Sequence, residues 1–387
     1  MSEAQPLPEQ ADVVVIGGGI MGLSIAHALA RAGQGSIVVL EKSYLVSGAS
    51  GRNGGGVRAQ WSNEDFIELM KDSIRICRDF AQEMRINVWF RQGGYLFLAR
   101  SDAHAEQLAR NVEMQRAHGL STRLVDAREA LRVAPILNGE GLIAGSYNAD
   151  DGVVFPWPFV WGYANACSEL GAGVHTFTEV LDLEVANGRV VSVETNRGRI
   201  RTGQVVLSAG AWSPEIAAMA GVALPNTPHR HEICASEPLK PFLEPLVAEL
   251  ESGLYFSQSM RGEIVGGVSN ADVPEGLDQN SGLRFLGLYA RAITRAAPRL
   301  GSLRILRQWA GCYDITPDGS PIVGAVDEVA GLELACGFMG HGFMMAPVFG
   351  PLFARHLLRD EEADLFARWN LRRFARGELA NAGMILG

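Results

Sequence analysis

The sequence predicts an α/β protein with two parts: a Rossmann-like parallel-sheet unit and an α+β second part on a mainly antiparallel sheet. Three observations predict it. Asp12–Glu41 reads strand, glycine turn, helix, strand. Residues 226–315 alternate in β fashion around one helical stretch, Leu283–Arg295. Near the C-terminus, "LELACGFMGHGFMMAP" repeats the strand–glycine–helix pattern.

The first unit carries a motif. Val13–Ile16 is an apolar run fit for a buried strand. It breaks into Gly17-Gly18-Gly19, and a helical pattern runs from Ile20 to Arg31. Ser36–Leu40 is a second strand, closed by Glu41. Gly17, Gly19 and Gly22 form G-x-G-x-x-G in its strand–turn–helix setting, with an acid 19 residues after the last glycine. Gly17 permits the tight turn, Gly19 lets a pyrophosphate approach the backbone, and Gly22 lets helix and strand pack closely. The helix start, at Ile20 and Met21, offers N–H groups and a positive partial charge to phosphates. Glu41 suits a ribose diol and disfavours a 2′-phosphate. The motif implies a dinucleotide and does not separate NAD from FAD.

Size and composition set the bounds. A chain of 387 residues predicts two domains. A net charge of −9 with no dense basic run excludes nucleic acid as a partner. "MSEAQPLPEQ" has neither the basic nor the apolar region of a signal peptide. Residues 11–32 are apolar, yet Asp12, His27, Arg31 and the glycines argue against a transmembrane segment. Five scattered cysteines without C-x-x-C pairs fit reduced thiols in a cytoplasm, with no metal site.

Further along, "KSYLVSGASGRNGGGVRAQW" is too long and glycine-rich for a plain connector. Asn63 caps a helix running to about Met84, with Phe66, Met70, Ile74, Cys77 and Phe80 on one face. Val88–Arg100 reads as a glycine-turn hairpin, and a helix follows over residues 101–118. Asp126 opens a short capped helix. "GSYNADDGVVFPWPF" reads as a loop, and Phe159–Leu170 as helix. Short β runs fill Val174–Leu207, with a hairpin turn at Asn187-Gly188. "VVLSAGAWS" ends a strand in small residues, as the far side of a dinucleotide site does, or as any βα turn does. A strand over Leu332–Ala335 and a helix from Gly342 close the pattern.

These stretches, with "SGASGRNGGGVR", "YDITPDGSPIVG" and "GFMGHGFMMAP" in this order, resemble the D-amino-acid oxidase-like FAD-dependent oxidoreductase superfamily. The likeness is to its sarcosine oxidase and dye-linked L-proline dehydrogenase β-subunit branch. The resemblance implies an FAD-binding domain in interrupted segments (residues 1–88, 150–222 and 318–387) and a substrate-binding domain (89–149 and 223–317). It implies oxidation of an amine, commonly a secondary amine or amino acid such as sarcosine, proline or hydroxyproline, to the imine by hydride transfer to flavin N5. Matched by position, Gly17 to Gly22 and Glu41 hold the ADP half. Lys42, Ser50, Arg52 and the backbone of Asn53, Gly54 and Gly55 lie along the pyrophosphate and flavin. Val180 contacts adenine, and Ala209, Gly210 and Trp212 flank the cofactor. Met339, Gly340, His341, Gly342, Phe343 and Met344 meet the flavin from the C-terminal side.

Departures from the family pattern matter as well. Gly311 stands where some members tether FAD through cysteine, with Cys312 one residue late, so non-covalent FAD is expected. Pro156 stands where others tether FMN through histidine. Val265 and Met344 stand where monomeric oxidases carry two lysines, one for oxygen and one for the substrate carboxylate. No catalytic triad is visible, and hydride transfer does not need one. Arg58 is the candidate for a substrate carboxylate, or else a flavin-loop arginine. His231, His341 and Tyr255, with Tyr313 and Trp61, are candidates for the substrate wall, or else core residues; Met344 is an apolar wall at the flavin. Arg304 and Arg307 read as solvated or interdomain charges. The partners implied are a small-molecule amine and an external electron acceptor or partner subunit, for which the Arg-, Leu- and Trp-bearing tail from Ala367 is one surface. The activity reads as a dehydrogenase. A peroxide-forming amine oxidase and a non-catalytic FAD-binding assembly protein remain alternatives, and the C-terminal glycine–helix unit speaks against NAD.

Overall fold

Val13–Ile16 lies inside a six-stranded sheet in the computed structural model, which describes residues 6–359, 361 and 363–380. The strand order is Ile322–Ala325, Leu332–Cys336, Val205–Leu207, Val13–Ile16, Ile37–Leu40 and Gly173–His175. All neighbours run parallel except the antiparallel edge strand Ile322–Ala325. Apolar side chains therefore leave both faces, as period-2 geometry requires of a covered sheet. Val13, Val15, Ile37 and Val39 join a core with the helices Ile20–Arg31, Glu64–Glu83, Pro156–Glu169 and Gly342–Arg359. Val14, Ile16, Val38 and Leu40 join the opposite core, closed by the three-stranded sheet Val180–Ala186, Arg189–Thr195 and Gly198–Arg201. Asn187 and Gly188 both take positive φ in the hairpin between the first two of these strands.

The first and C-terminal long helices pack together in the helix layer. Ser24 Oγ donates to the Ala346 carbonyl at 2.7 Å, and a Cβ on Gly350 would strike Ser24. This contact ties the two glycine–helix units to each other and directs both helix starts to one side of the sheet.

The second part is an eight-stranded, mainly antiparallel sheet. It takes Ile305–Ile315, Thr227–Pro238, Glu263–Gly267, Leu254–Gln258 and Leu246–Glu249 from one stretch of chain. It takes Tyr95–Ala99, Ala144–Asn148 and Arg123–Asp126 from another, joined by one parallel pairing of Tyr95–Ala99 with Leu246–Glu249. Its core packs Phe256 of the sheet with Phe285 and Tyr289 of the helix Leu283–Ala296.

Two readings are corrected. Val88–Arg100 is not a hairpin. Only Tyr95–Ala99 is strand, Arg91 makes an isolated bridge to Val153, and Gly93 presses against the Glu244 carbonyl as the chain bends into the sheet. The stretch from Gly145 is not wholly loop either: Ala144–Asn148 is a strand paired on both edges, and Gly152–Val153 pairs with Gly56–Val57. The helix expected from Phe159 begins at Pro156, where proline suits the first turn. All five cysteines are buried and free. Among the described residues no helix is long and apolar enough to cross a membrane, and no cluster of metal-binding side chains occurs.

Candidate functional site

A cleft of about 510 Å³ runs from the first glycine turn to the C-terminal one, between the parallel sheet and the eight-stranded sheet. At the turn, Gly17 takes φ +109°, and a Cβ there would lie 2.5 Å from the Ser208 carbonyl oxygen. Gly22 sits beneath, where a Cβ would meet the Gly17 carbonyl and Ser208 Oγ, so it serves packing and does not face the cleft. Gly19, Ile20 and Met21 open the helix into the cleft, and Ile20 N–H donates to Ser50 Oγ at 3.0 Å. Glu41 accepts from the N–H groups of Gly18 (3.0 Å) and Ser43 (2.9 Å), holding the acid at the turn.

The long glycine loop folds along the cleft. Arg52 lines it, but its guanidinium donates to the Ser47 (2.7 Å) and Ala310 (3.0 Å) carbonyls and so ties the loop to the eight-stranded sheet. Asn53 donates to the Ser50 carbonyl and accepts from Gly55 N–H, shaping the Asn53–Gly55 turn. Lys42 stands 3.9 Å from the Trp212 ring centre. Val180, Ala209 and Gly210 line the same end.

At the other end, Gly340, His341, Gly342, Phe343 and Met344 line the cleft. Met339 does not; its sulfur accepts the Thr316 N–H at 3.0 Å and its side chain is buried under the loop. Arg58 is 2% exposed, with its guanidinium carbon 4.4 Å over Trp61 and 5.5 Å from Tyr95 and Phe97. Its Nη2 is 3.4 Å from His341 Nε2, and Trp61 meets His341 edge-on at 4.7 Å. Opposite, His231 stacks on Tyr313 at 4.9 Å and lies 3.1 Å from the Tyr255 hydroxyl. Burial, with the charge of His229 behind it, pushes His231 down to about 4, so it is neutral at pH 7. The sequence-predicted groups thus converge, apart from Gly22 and Met339 beneath the turns and Trp61 behind Arg58.

The model of the FAD dependent oxidoreductase (DAO) family matches residues 12–356. The chain belongs to this family. It is 33% identical to the sarcosine oxidase subunit beta of Rhizobium meliloti, over 97% of this chain and 91% of that protein. The same subunit of Rhodobacter capsulatus is 31% identical over 99% and 94%. The L-proline dehydrogenase structure from P. horikoshii superposes with a TM-score of 0.91 at 36% identity, covering 97% of this chain and 100% of that one.

As an FAD-dependent oxidoreductase the protein has the cradle its cofactor needs. The turn at Gly17 leaves no room for side chains, one helix start faces each end, and both glycine loops border one continuous cleft. Four further groups carry no clear sequence signal or only a weak one. Tyr95 and Gln279 line the cleft, and Gln279 Nε2 is buried with no partner. Asp314 is buried and accepts from Gly337 N–H at 2.6 Å, anchoring the C-terminal loop; burial outweighs its hydrogen bonds and raises it to about 6. Its place within "YDITPDGSPIVG" is its sequence signal. Asp151, fully buried behind Arg58, had none.

A second cavity of about 650 Å³ shares Arg52, Asn53 and Gly54 with the first. Val265 and Pro156 both line it, as do Trp89, Trp157, Leu306 and Arg307. Cys312 borders the cofactor cleft, but its thiol points to the Gly276 and Asp278 carbonyls, each at 3.8 Å.

Proposed function

We propose that this protein oxidises a carboxylate-bearing secondary amine or amino acid, of the sarcosine, proline or hydroxyproline kind, to its imine. The observation that carries this is Arg58, a buried guanidinium at the cleft floor beside His341. Bound FAD supplies the hydride acceptor. Arg58 receives the carboxylate in two-point fashion and fixes the amine's α-carbon. Neutral His231, with Tyr255 and Tyr313, forms the opposing wall and accepts or donates a hydrogen bond without adding charge. N–H groups at the start of the helix from Gly342 would offer partial positive charge to the flavin end of the cofactor. The segments 1–88, 150–222 and 318–387 hold FAD, and 89–149 and 223–317 cover the substrate. The names of its relatives, one a sarcosine oxidase subunit and one an L-proline dehydrogenase, support this substrate class.

The electron acceptor is something other than oxygen, because Val265 stands where monomeric oxidases of the family carry a lysine; the cations of its cavity are the arginines Arg52, Arg261 and Arg307. A partner subunit or external acceptor docks beside that cavity, where Trp157 is 43% and Leu306 60% exposed. The tail from Ala367 is a poorer surface: Trp369 and Arg373 are buried, and residues 381–387 lie outside those described. FAD is held without a covalent bond, so acid precipitation leaves all flavin in the supernatant. Buried free cysteines fit a cytoplasmic setting.

The test is an anaerobic titration of the yellow holoprotein with sarcosine, L-proline, D-proline and hydroxyproline. Bleaching by one of them, slow recovery in air, and a KM in Arg58→Ala raised far more for a carboxylated than an uncharged amine are expected. Equal KM changes for both amines overturn the role of Arg58. A flavin bleached by no amine overturns the catalytic reading.

A further inference from the structure

Arg58 and Asp151 are cross-strand neighbours. In the two-residue ladder Gly56 pairs with Val153 and Val57 with Gly152, antiparallel, so the next position in register sets Arg58 against Asp151. Asp151 is 0% exposed. Its Oδ1 accepts from Ala59 N–H at 2.8 Å and Asn148 Nδ2 at 3.1 Å, and its Oδ2 from Gln60 Nε2 at 3.0 Å. Gln60 is itself fixed: it donates to the Tyr95 carbonyl at 2.9 Å and accepts from Ser146 Oγ at 2.9 Å. Asp151 thus holds, through Ala59 and Gln60, the segment that carries Arg58.

We infer that Asp151 is a positioning residue acting through Arg58, and that an incoming substrate carboxylate is bound there together with one proton taken up by Asp151. This rests on Arg58 being the carboxylate receiver. The donors to Asp151 are neutral amides and one backbone N–H, so they orient it without cancelling its charge. The charged and titratable groups that face it are Arg58, Asp150, Tyr95 and Tyr147. The charge of Arg58 bears on Asp151 without a direct ion pair, and a substrate carboxylate on Arg58 is then a second anion in the same low-dielectric pocket, where the two anions repel. A proton from solvent on Asp151 removes the repulsion. Burial already pushes Asp151 up to about 7, against the Ala59 and Gln60 hydrogen bonds and the charge of Arg58, so this proton is available near neutrality. By linkage, the anion and the proton each favour binding of the other.

The experiment uses the holoenzyme and cyclopentanecarboxylate, an anion with no amine to titrate. Its Kd is read from the flavin spectrum between about pH 6 and about pH 9, and proton uptake is read with an indicator dye in weak buffer. In the wild type Kd should weaken by up to about tenfold per pH unit above about pH 7, with up to about one proton taken up. In Asp151→Asn the Kd should be flat with pH, uptake should vanish, and binding above about pH 8 should tighten by about tenfold. Parallel pH curves in the two proteins overturn the inference, as does absence of uptake in the wild type. Uptake that persists in Asp151→Asn belongs to another group and also overturns it. If Asp151→Asn gives no holoenzyme, His341→Gln and Asp314→Asn decide: uptake retained in both supports Asp151, and uptake lost in either overturns it. Equal ligand affinity in wild type and Arg58→Ala is a separate failure, that of the carboxylate role of Arg58.

Discussion

Gly340 lies against the ring of Tyr313, with φ +81°, and a Cβ there would stand 2.5 Å from the ring's Cε1. Two demands meet at one residue: a left-handed backbone and no side chain. The result is a C-terminal loop tight enough to bring His341 to Arg58 while Tyr313 stays stacked on His231. Gly340→Ala should cost about 2–4 kcal/mol, from backbone strain plus displacement of the ring. Thermal unfolding of the holoprotein should fall accordingly, and FAD should elute separately on gel filtration. An unchanged midpoint with full flavin would show that the ring moves aside freely.

Arg373 and Asp318 form a buried two-point ion pair, Nε to Oδ2 at 2.7 Å and Nη2 to Oδ1 at 2.9 Å. Asp318 Oδ2 also accepts the Ala380 N–H at 3.0 Å, so this pair ties the segment at Ala380 to the turn after Thr316. Burial acts to raise the Asp318 carboxyl, but the hydrogen bonds and charge of Arg373 outweigh it and hold it below the usual carboxylate range. Removing one partner strands the other. Arg373→Ala should therefore cost about 3–5 kcal/mol, read as a lower denaturant midpoint at pH 7. Because the carboxyl is depressed, the pair's contribution is present above about pH 4 and fades as pH falls further. The gap between wild type and variant should accordingly narrow below that pH, and a constant gap would count against the pair as its source.

The cofactor turn was legible because it is local. Gly17, Gly19, Gly22 and Glu41 act through spacing along one strand–helix–strand unit, and each steric demand shows as a glycine. Arg58 stood out only as an arginine in a glycine-rich loop, and its partner Asp151 was invisible. The two meet through a two-residue ladder that no local pattern announces. Ala144–Asn148 was hidden for a related reason. Its residues have weak strand preference, and its strand state comes from pairing on both edges. Gly145, read as a loop signal, is there because a Cβ would lie 2.7 Å from the Phe97 carbonyl oxygen. Met339 takes φ +54° and its sulfur accepts the Thr316 N–H, and neither has a sequence signature.

Two pairs of buried groups give stability opposite pH slopes. His231 and His27 are each lowered to about 4, chiefly by burial. Their contribution is present above about pH 6.5 and is lost as pH falls toward 4. Asp151 and Asp314 are raised to about 7 and about 6, again chiefly by burial. Theirs is present below about pH 4 and is lost as pH rises through 6 and 7. The wild type should show a shallow optimum because the slopes oppose. Relative to it, Asp151→Asn should gain stability between about pH 5 and about pH 8, and His231→Phe should gain between about pH 7 and about pH 5. Denaturant midpoints at these pH values check both. Gains that grow in the same pH direction in the two variants would refute the assignment.

Val265 lies on the strand Glu263–Gly267 and lines the second cavity, which shares the Arg52–Gly54 loop with the cofactor cleft. A cation placed there would stand across that loop from the cleft and favour transfer of electrons to oxygen, whose reduced form is an anion. The neighbours leave room for a long side chain, since the cavity holds about 650 Å³, and a lysine head could reach its open part while the stem stays on apolar surface. Val265→Lys should therefore leave anaerobic bleaching by substrate within about threefold of wild type and speed return of colour in air by at least about tenfold. Stopped-flow spectra with a saturating amine, first without and then with dissolved oxygen, separate the two half-reactions. Faster bleaching with unchanged return of colour would place Val265 on the substrate side instead. An unchanged return of colour in a folded, flavin-loaded variant would mean that the second cavity does not control access of oxygen to the flavin.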